Sequence, residues 1–370
     1  MKLIDLPTQD DAPNGTDGPG QQSARATGWA SEPERLVLAE DAGAGLRCVI
    51  AIHSTALGPA AGGCRVYPYA DTASAIADAK RLARGMSMKN ALAGLPLGGG
   101  KAVIIADPAR DKTEAMMRAF GEAVDSLGGA YVTGEDVGVS VADMDAVKQV
   151  TPHVMGASDA EGDPSIHTAR GVFLCMARAA ALKWGGGLDG VTVAIKGVGH
   201  VGAALARMLH AAGARLLLAD ARPHTASSLA AELGAHIVAP HRILTAQADI
   251  LAPCALGADL SAHTIPDIQA RIVCGAANNQ LATPQDDARL RAAGILYCPD
   301  YLVNAGGIIA ISRGVTGWSA AKARAAIEAL PDSLQSVLDR AASEAAEAQP
   351  TGAVADAMAR ARLAAAQAVS

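Results

Sequence analysis

Two lysines stand in glycine-rich, apolar company: Lys89 in Met86-Ser87-Met88-Lys89-Asn90, and Lys101 directly after Leu97-Gly98-Gly99-Gly100. Two ammonium groups brought into one dry cleft repel each other and lose hydration, which lowers the pKa of one and makes it a base near neutral pH. The other stays charged and clamps a carboxylate. Asp136, in Thr133-Gly134-Glu135-Asp136-Val137-Gly138, follows a strand and is placed to relay a proton. A single lysine is more often a surface side chain, and a single Asp a cap or turn former, so the three residues count together.

A second constellation is Gly197-Val198-Gly199-His200-Val201-Gly202, between a strand-like run and an apolar helix. Gly197 permits the tight turn, Gly199 lets the backbone approach a pyrophosphate, and Gly202 allows close helix–strand packing. The helix N-terminus opening at His200 and Val201 receives the negative charge. About twenty residues on stands Asp220, where a carboxylate takes the ribose hydroxyls of NAD and repels the extra phosphate of NADP. Arg222, two residues further, leaves room for NADP.

These residues need elements to hold them. Runs 35–40 and 46–53, separated by a glycine turn, predict a hairpin. Apolar spacing predicts helices over 72–86 and 112–127 and strands over 101–106 and 130–133, a first α/β domain spanning 28–150. The second half opens with a helix over 168–184. Strands at 191–196, 215–219, 236–238, 249–252, 271–274 and 294–297 then alternate with helices, which predicts a doubly wound Rossmann sheet, an NAD-binding domain over 151–324. The alanine-rich stretch 320–369 reads as helical, and residues 325–370 are expected to rejoin the first domain. The fold class is thus α/β, with an N-terminal substrate domain, a Rossmann domain and a deep cleft between them. Residues 8–27 are Gly-, Asp-, Gln- and Ser-rich, too poor in apolar surface to offset chain entropy, so 1–27 are expected to be a mobile leader.

Composition sets the outer bounds. The 370 residues, 50% hydrophobic and 18% charged, suffice for two cored domains. A net charge of −6 without any dense Lys/Arg block argues against a nucleic-acid partner. Six cysteines lack CxxC spacing, which fits reduced, buried thiols; no disulfide framework, zinc site or other metal cluster is expected. With no signal-peptide pattern and no apolar run of spanning length, the chain reads as cytoplasmic, with no membrane partner.

Several ordered segments make the reading specific: Leu57-Gly58-Pro59-Ala60-Ala61-Gly62-Gly63-Cys64-Arg65, Arg84-Gly85-Met86-Ser87-Met88-Lys89-Asn90-Ala91, 97–101, 133–138, 252–257, Gly275-Ala276-Ala277-Asn278-Asn279-Gln280-Leu281 and Pro299-Asp300-Tyr301-Leu302-Val303-Asn304-Ala305-Gly306-Gly307. From about Val37 to the C-terminal helices the chain resembles the leucine, valine and phenylalanine dehydrogenase branch of the Glu/Leu/Phe/Val dehydrogenase family. The resemblance implies NAD-dependent, reversible oxidative deamination of an apolar L-amino acid to a 2-oxo acid and ammonia, by a homo-oligomer. It implies that Lys101 activates water, Lys89 holds the substrate carboxylate beside Gly62, and Asp136 exchanges protons with the amino nitrogen. Asn278 and Asn304 would fix substrate and cofactor, Thr168 would contact the nicotinamide carboxamide, and Ala252 and Cys254 would line the cofactor site. The alternative is a catalytically silent NAD-binding sensor of the same fold, against which intact Lys89, Lys101 and Asp136 argue.

The resemblance also narrows the substrate. Related glutamate dehydrogenases carry a lysine where Ala61 stands here, and without it an acidic side chain would be buried unpaired. The implied side-chain pocket is Ala61, Gly134, Ile308 and Ile311, all apolar; leucine dehydrogenases usually carry Leu where Ala61 stands and Ala where Gly134 stands, and the volume lost at that end favours a long or aromatic side chain over valine. His167 and Arg170 flank Thr168 where relatives carry apolar and aromatic residues, after a loop at 156–165 shorter than theirs; both changes bear on substrate choice.

Overall fold

The computed structural model describes residues 1–8, 32–158, 163–255, 257–343 and 349–368. The chain divides into two compact units. One comprises Met1–Glu161, Ile311–Trp318 and Ala359–Ser370, the other Gly162–Ala310 and Ser319–Met358.

Among the described residues the first unit holds strands β1 (Lys2–Leu6), β2 (Arg35–Asp41), β3 (Leu46–Ser54), β4 (Ala60–Ala61) and β5 (Cys64–Tyr67), helix α1 (Thr72–Leu92) and strand β6 (Gly98–Ile105). Helix α2 (Glu114–Asp125), strand β7 (Tyr131–Val132) and helix α3 (Val141–Lys148) follow. The sheet runs β1-β2-β3-β6-β4-β7, and β5 continues past β4 along β6. Each neighbouring pair along β1-β2-β3-β6 is antiparallel, whereas β4 and β5 lie parallel to β6. Side chains alternate across the strands, so Leu36, Leu38, Val49 and Val103 meet Ala75, Ala79 and Ala83 of α1. Val37, Cys48, Ile50 and Ile104 meet Met116, Phe120 and Val124 of α2 and Val147 of α3 on the other face. A capping box between Asp71 and Ser74 starts α1.

The second unit carries α4 (Pro164–Trp184), β8 (Thr192–Lys196), α5 (His200–Ala211), β9 (Arg215–Ala219), α6 (Pro223–Leu233), β10 (His236–Ile237), β11 (Ile250–Pro253), β12 (Ile272–Val273), α7 (Gln285–Ala292) and β13 (Leu296–Tyr297). Short helices α8 (Asp300–Val303), α9 (Gly306–Ile311) and α10 (Arg313–Thr316) follow, then α11 (Ala320–Glu328), α12 (Leu330–Ala342) and α13 (Thr351–Gln367). Its all-parallel sheet has the order β10-β9-β8-β11-β12-β13. This is the doubly wound dinucleotide-binding order 3-2-1-4-5-6.

Three expectations need correction. Lys2–Leu6 is not part of a mobile leader: it pairs antiparallel with β2, and Ile4 and Leu6 pack on the α1-side core. Residues 9–27 of the expected leader lie outside the described residues, as do 159–162 of the loop before α4, Leu256, and 369–370. Helix α1 runs to Leu92 instead of ending at 86: Ser87 and Asn90 break the apolar spacing but are buried and hydrogen-bonded, to His53 and to Gly98 O, so the helix continues through them. The domain boundaries also differ. Helix α12 buries Leu330, Leu334 and Val337 and packs against α4, where Arg178 meets Asp332 at 3.0 Å. Residues 319–358 therefore group with the second unit, whereas Ile311–Trp318 and the segment from Ala359 onward belong to the first. No helix among the described residues is long and apolar enough to cross a membrane.

Candidate active site

In the first unit, β6 and the segment after β7 bring Lys101 and Asp136 together. Lys101 is 5% exposed, and its Nζ lies 2.9 Å from Asp136 Oδ2. The same oxygen accepts a hydrogen bond from Arg65 Nε at 3.0 Å, and Arg65 in turn reaches Asp78 Oδ2 on α1 at 3.1 Å. Burial pushes the Asp136 carboxyl up, but the Lys101 ammonium and the Arg65 guanidinium outweigh it and hold the group below the usual aspartate value. Asp136 is thus a carboxylate beside Lys101, in the constellation of Lys89, Lys101 and Asp136 that the sequence singled out.

Lys89 stands half-buried in the last turn of α1. Two contacts fix that end of the helix: Asn90 Nδ2 donates to Gly98 O at 2.6 Å, and Arg362 from α13 donates to Ala91 O and Leu92 O at 2.8 and 3.1 Å. Upstream on the helix, Ser87 Oγ hydrogen-bonds His53 Nδ1 of β3 at 2.8 Å. A Cβ on Gly99 would fall on the backbone nitrogen and hydroxyl of Ser87, so the glycine run before Lys101 is what lets α1 lie this close to β6. Ala61, Gly62 and Gly134 are buried in the same unit, with Gly62 O accepting from Tyr131 OH at 2.6 Å. Ile308 and Ile311, both half-buried, share one face of α9 by their spacing of three.

In the second unit, Gly197 turns the chain with φ of +94° and Gly199 is the N-cap of α5, where no side chain caps the helix. The first-turn N–H groups at His200 and Val201 are thus left for an anion. A Cβ on Gly202 would strike Gly197 O, whereas one on Gly199 would meet nothing nearer than Arg222 at 3.9 Å. The cradle fits a dinucleotide pyrophosphate by close packing beneath and open space above. Asp220 Oδ2 accepts from Val198 N at 2.9 Å and Oδ1 from Arg222 N at 2.9 Å; burial raises this carboxyl, but those amides and Arg222 more than offset it. Buried Ala252 lies in β11, and Cys254, just past the strand's end at Pro253, packs its Cβ toward Gly202. Lys196, at the end of β8, is ion-paired with Asp259.

Asn304 donates to Ala276 O at 3.1 Å and to Asn278 Oδ1 at 2.8 Å, while its own buried Oδ1 has no hydrogen-bond partner among the described residues. Thr168 Oγ1 donates to Pro164 O at 3.0 Å. Arg170 is spoken for: it binds Glu328 of α11 through Nε and Nη2 at 3.0 and 3.1 Å and lies 5.9 Å from the Phe173 ring centroid. His167 is half-buried on the same helix. No group of three or more possible metal ligands occurs among the described residues.

Arg65, Asn90 and the His53–Ser87 pair were not singled out from sequence. Arg65 lies in segment 57–65, but its carboxylate partner is 71 positions away and is brought beside it by the parallel bridge of Cys64 with Glu135.

Residues 34–153 match the Glu/Leu/Phe/Val dehydrogenase dimerisation domain, and residues 216–370 match the glutamate/leucine/phenylalanine/valine dehydrogenase domain. Leucine dehydrogenase of Bacillus subtilis (strain 168) is 44% identical over 310 residues, 83% of this chain and 85% of that protein. Valine dehydrogenase of Streptomyces albus is 46% identical over 343 residues, 90% and 93% of the two chains. Among solved structures, L-tryptophan dehydrogenase from Nostoc punctiforme superposes with a TM-score of 0.79 at 38% identity, covering 94% of this chain and 99% of that one. Hetero-hexameric glutamate dehydrogenase from Thermus thermophilus, in its Leu-bound form, gives 0.76 at 25% identity, covering 97% and 99%.

Proposed function

The chain belongs to the Glu/Leu/Phe/Val dehydrogenase family, and from that premise we propose how its residues divide the reaction. It is an amino-acid dehydrogenase acting on the CH–NH2 group, interconverting an L-amino acid and water with a 2-oxo acid and ammonia. The observation that carries the assignment of roles is the buried contact of Lys101 Nζ with Asp136 Oδ2.

The bound nicotinamide coenzyme supplies the acceptor for the hydride that leaves the substrate Cα. Everything else falls to side chains. Lys89 holds the substrate carboxylate. Asp136, kept as a carboxylate, accepts a proton from the substrate nitrogen and returns it as ammonia departs. Lys101, after giving up its ion-pair proton to solvent, takes the proton of the water that adds to the imine carbon, and as the ammonium so formed stabilises the charge on the oxygen. Asn278 and Asn304 orient substrate and coenzyme, and Thr168 meets the carboxamide. The coenzyme is NAD, because the Asp220 carboxylate at the end of β9 suits ribose hydroxyls and repels a 2′-phosphate. Gly197, Gly199, His200, Val201, Gly202, Ala252 and Cys254 complete that site.

The substrate side chain is apolar, branched or aromatic. Ala61 is fully buried, and an acidic side chain beside it would cost several kcal/mol, on the order set by burying an unpaired charge. Six free cysteines fit work in a reducing cytosol. The match of residues 34–153 to a dimerisation domain supports a homo-oligomer.

The test is NADH oxidation with ammonium and a panel of 2-oxo acids, with 2-oxoglutarate and NADPH as comparisons, run beside Lys101→Ala. Turnover of branched-chain or aromatic 2-oxo acids, lost by about a thousandfold in the variant, is expected. NADH binding without turnover of any member would overturn the assignment.

A further inference from the structure

Resting on that reading, we propose that Arg65 is a positioning residue that keeps Asp136 aimed at Lys101 and ionised until it takes the substrate's proton, whether or not Lys101 is protonated. The argument is one of charge balance. A buried aspartate paired with one lysine stays ionised only while that lysine is protonated; when Lys101 gives up its proton, the carboxylate loses its counter-charge and takes the proton itself. Arg65 removes that dependence. Its guanidinium does not deprotonate in proteins, and its Nε donates to the oxygen that Lys101 contacts, at 3.0 and 2.9 Å respectively. Both contacts fall on Oδ2, which leaves Oδ1 outside the pairing and available to a proton in transit.

The arginine is itself held in place. Its Nη1 donates to Asp78 Oδ2 at 3.1 Å; that oxygen also accepts from Tyr69 OH at 2.6 Å, and Asp78 Oδ1 accepts from Arg81 at 2.6 Å. Alternating charges thus run Lys101, Asp136, Arg65, Asp78, Arg81, from β6 across β5 to α1. Ionisable groups around Asp136 include Glu135, adjacent in the chain, and the Cys64 thiol on β5, which burial pushes up so that it stays neutral; Asp143, which acts on both, is paired with Lys112 at 2.5 Å. None of these replaces the positive charge that Arg65 supplies.

Two readouts test this. One is the acid limb of the pH profile of kcat/KM for amino-acid oxidation. The other is a difference infrared titration of the substrate-free protein, with the Asp136 carboxyl band identified by its loss in Asp136→Asn. In Arg65→Gln, both midpoints are expected to rise by about one pH unit or more, in step. Arg65→Lys keeps the charge, so both are expected to stay within about half a unit of wild type. An unmoved Asp136 band in Arg65→Gln, with thermal melting showing it folded, overturns the proposal and leaves Arg65 a scaffold residue. If Arg65→Gln does not fold, Arg65→Lys decides alone: midpoints displaced by a unit or more overturn the proposal, and unmoved midpoints uphold it. A wild-type protein that turns over no amino acid defeats the functional reading, while the infrared titration still judges Arg65.

Discussion

His53 Nδ1 and Ser87 Oγ lie 2.8 Å apart in the buried seam between β3 and α1. Burial, aided by the positive charge of Arg84, lowers the imidazole from 6.5 to about 4. The folded protein therefore keeps His53 neutral where the unfolded chain has already taken up a proton. Stability from this group is fully present above pH 6.5 and is lost as pH falls towards about 4, by roughly 3 kcal/mol across that window. His53→Gln is expected to flatten this part of the pH dependence in denaturant titrations at pH 7 and pH 4.5. An unchanged slope would assign the acid sensitivity to other groups.

Gly99→Ala places a methyl group against the Ser87 backbone nitrogen and hydroxyl; the hydroxyl can rotate away, but the backbone nitrogen cannot retreat without moving α1. Overpacking of this kind costs about 1–3 kcal/mol or more. A lowered melting temperature together with a raised KM for the amino acid is expected, because Lys89 rides on the displaced helix. Retention of both wild-type values would show that the helix has slack here.

Arg362→Ala removes the donor to Ala91 O and Leu92 O at the C-terminal end of α1. Leaving those carbonyls without this partner costs about 1–3 kcal/mol, and the last turn, with Lys89, is expected to fray. The measurement is amide hydrogen exchange over residues 86–93. Protection equal to wild type would refute this role for Arg362.

Asp220→Asn keeps an acceptor for the Val198 amide but removes the charge. NADH affinity, followed by fluorescence titration, is expected to fall about tenfold, a change of roughly 1.4 kcal/mol, while NADPH affinity holds or improves. Equal losses for both coenzymes would mean that Asp220 shapes the loop and does not select between them.

Much of this architecture was legible from residues because pattern and chemistry coincided. The glycines from 197 to 202 sit between a β-branched strand and an apolar helix, and alternation from there onward yields the six-stranded parallel order. Where function overrides pattern, the reading failed. Ser87, Lys89 and Asn90 broke the apolar spacing of α1, although two of them are fully buried and all are helical. Gly98, Gly99 and Gly100 carry no strand propensity, so β6 was read as starting three residues late. Lys2–Leu6 needed a partner strand more than thirty residues away before its half-apolar alternation meant anything. The Arg65–Asp136 contact depends on sheet register, which single-chain spacing does not encode.

The chain's partition has a consequence for recombination with its relatives. The first unit is assembled from Met1–Glu161, Ile311–Trp318 and Ala359–Ser370, and α13 contributes to both units along a single helix. A chimera with one crossover anywhere between 162 and 358 inherits the three segments of the first unit from different parents, and Arg362 then meets an α1 it was not selected beside. Exchanging coenzyme preference or substrate range between family members by whole-unit grafting therefore requires crossovers placed near 162, 310, 319 and 358 together. Libraries built with those four junctions are expected to yield far more folded members than libraries cut at a single midpoint.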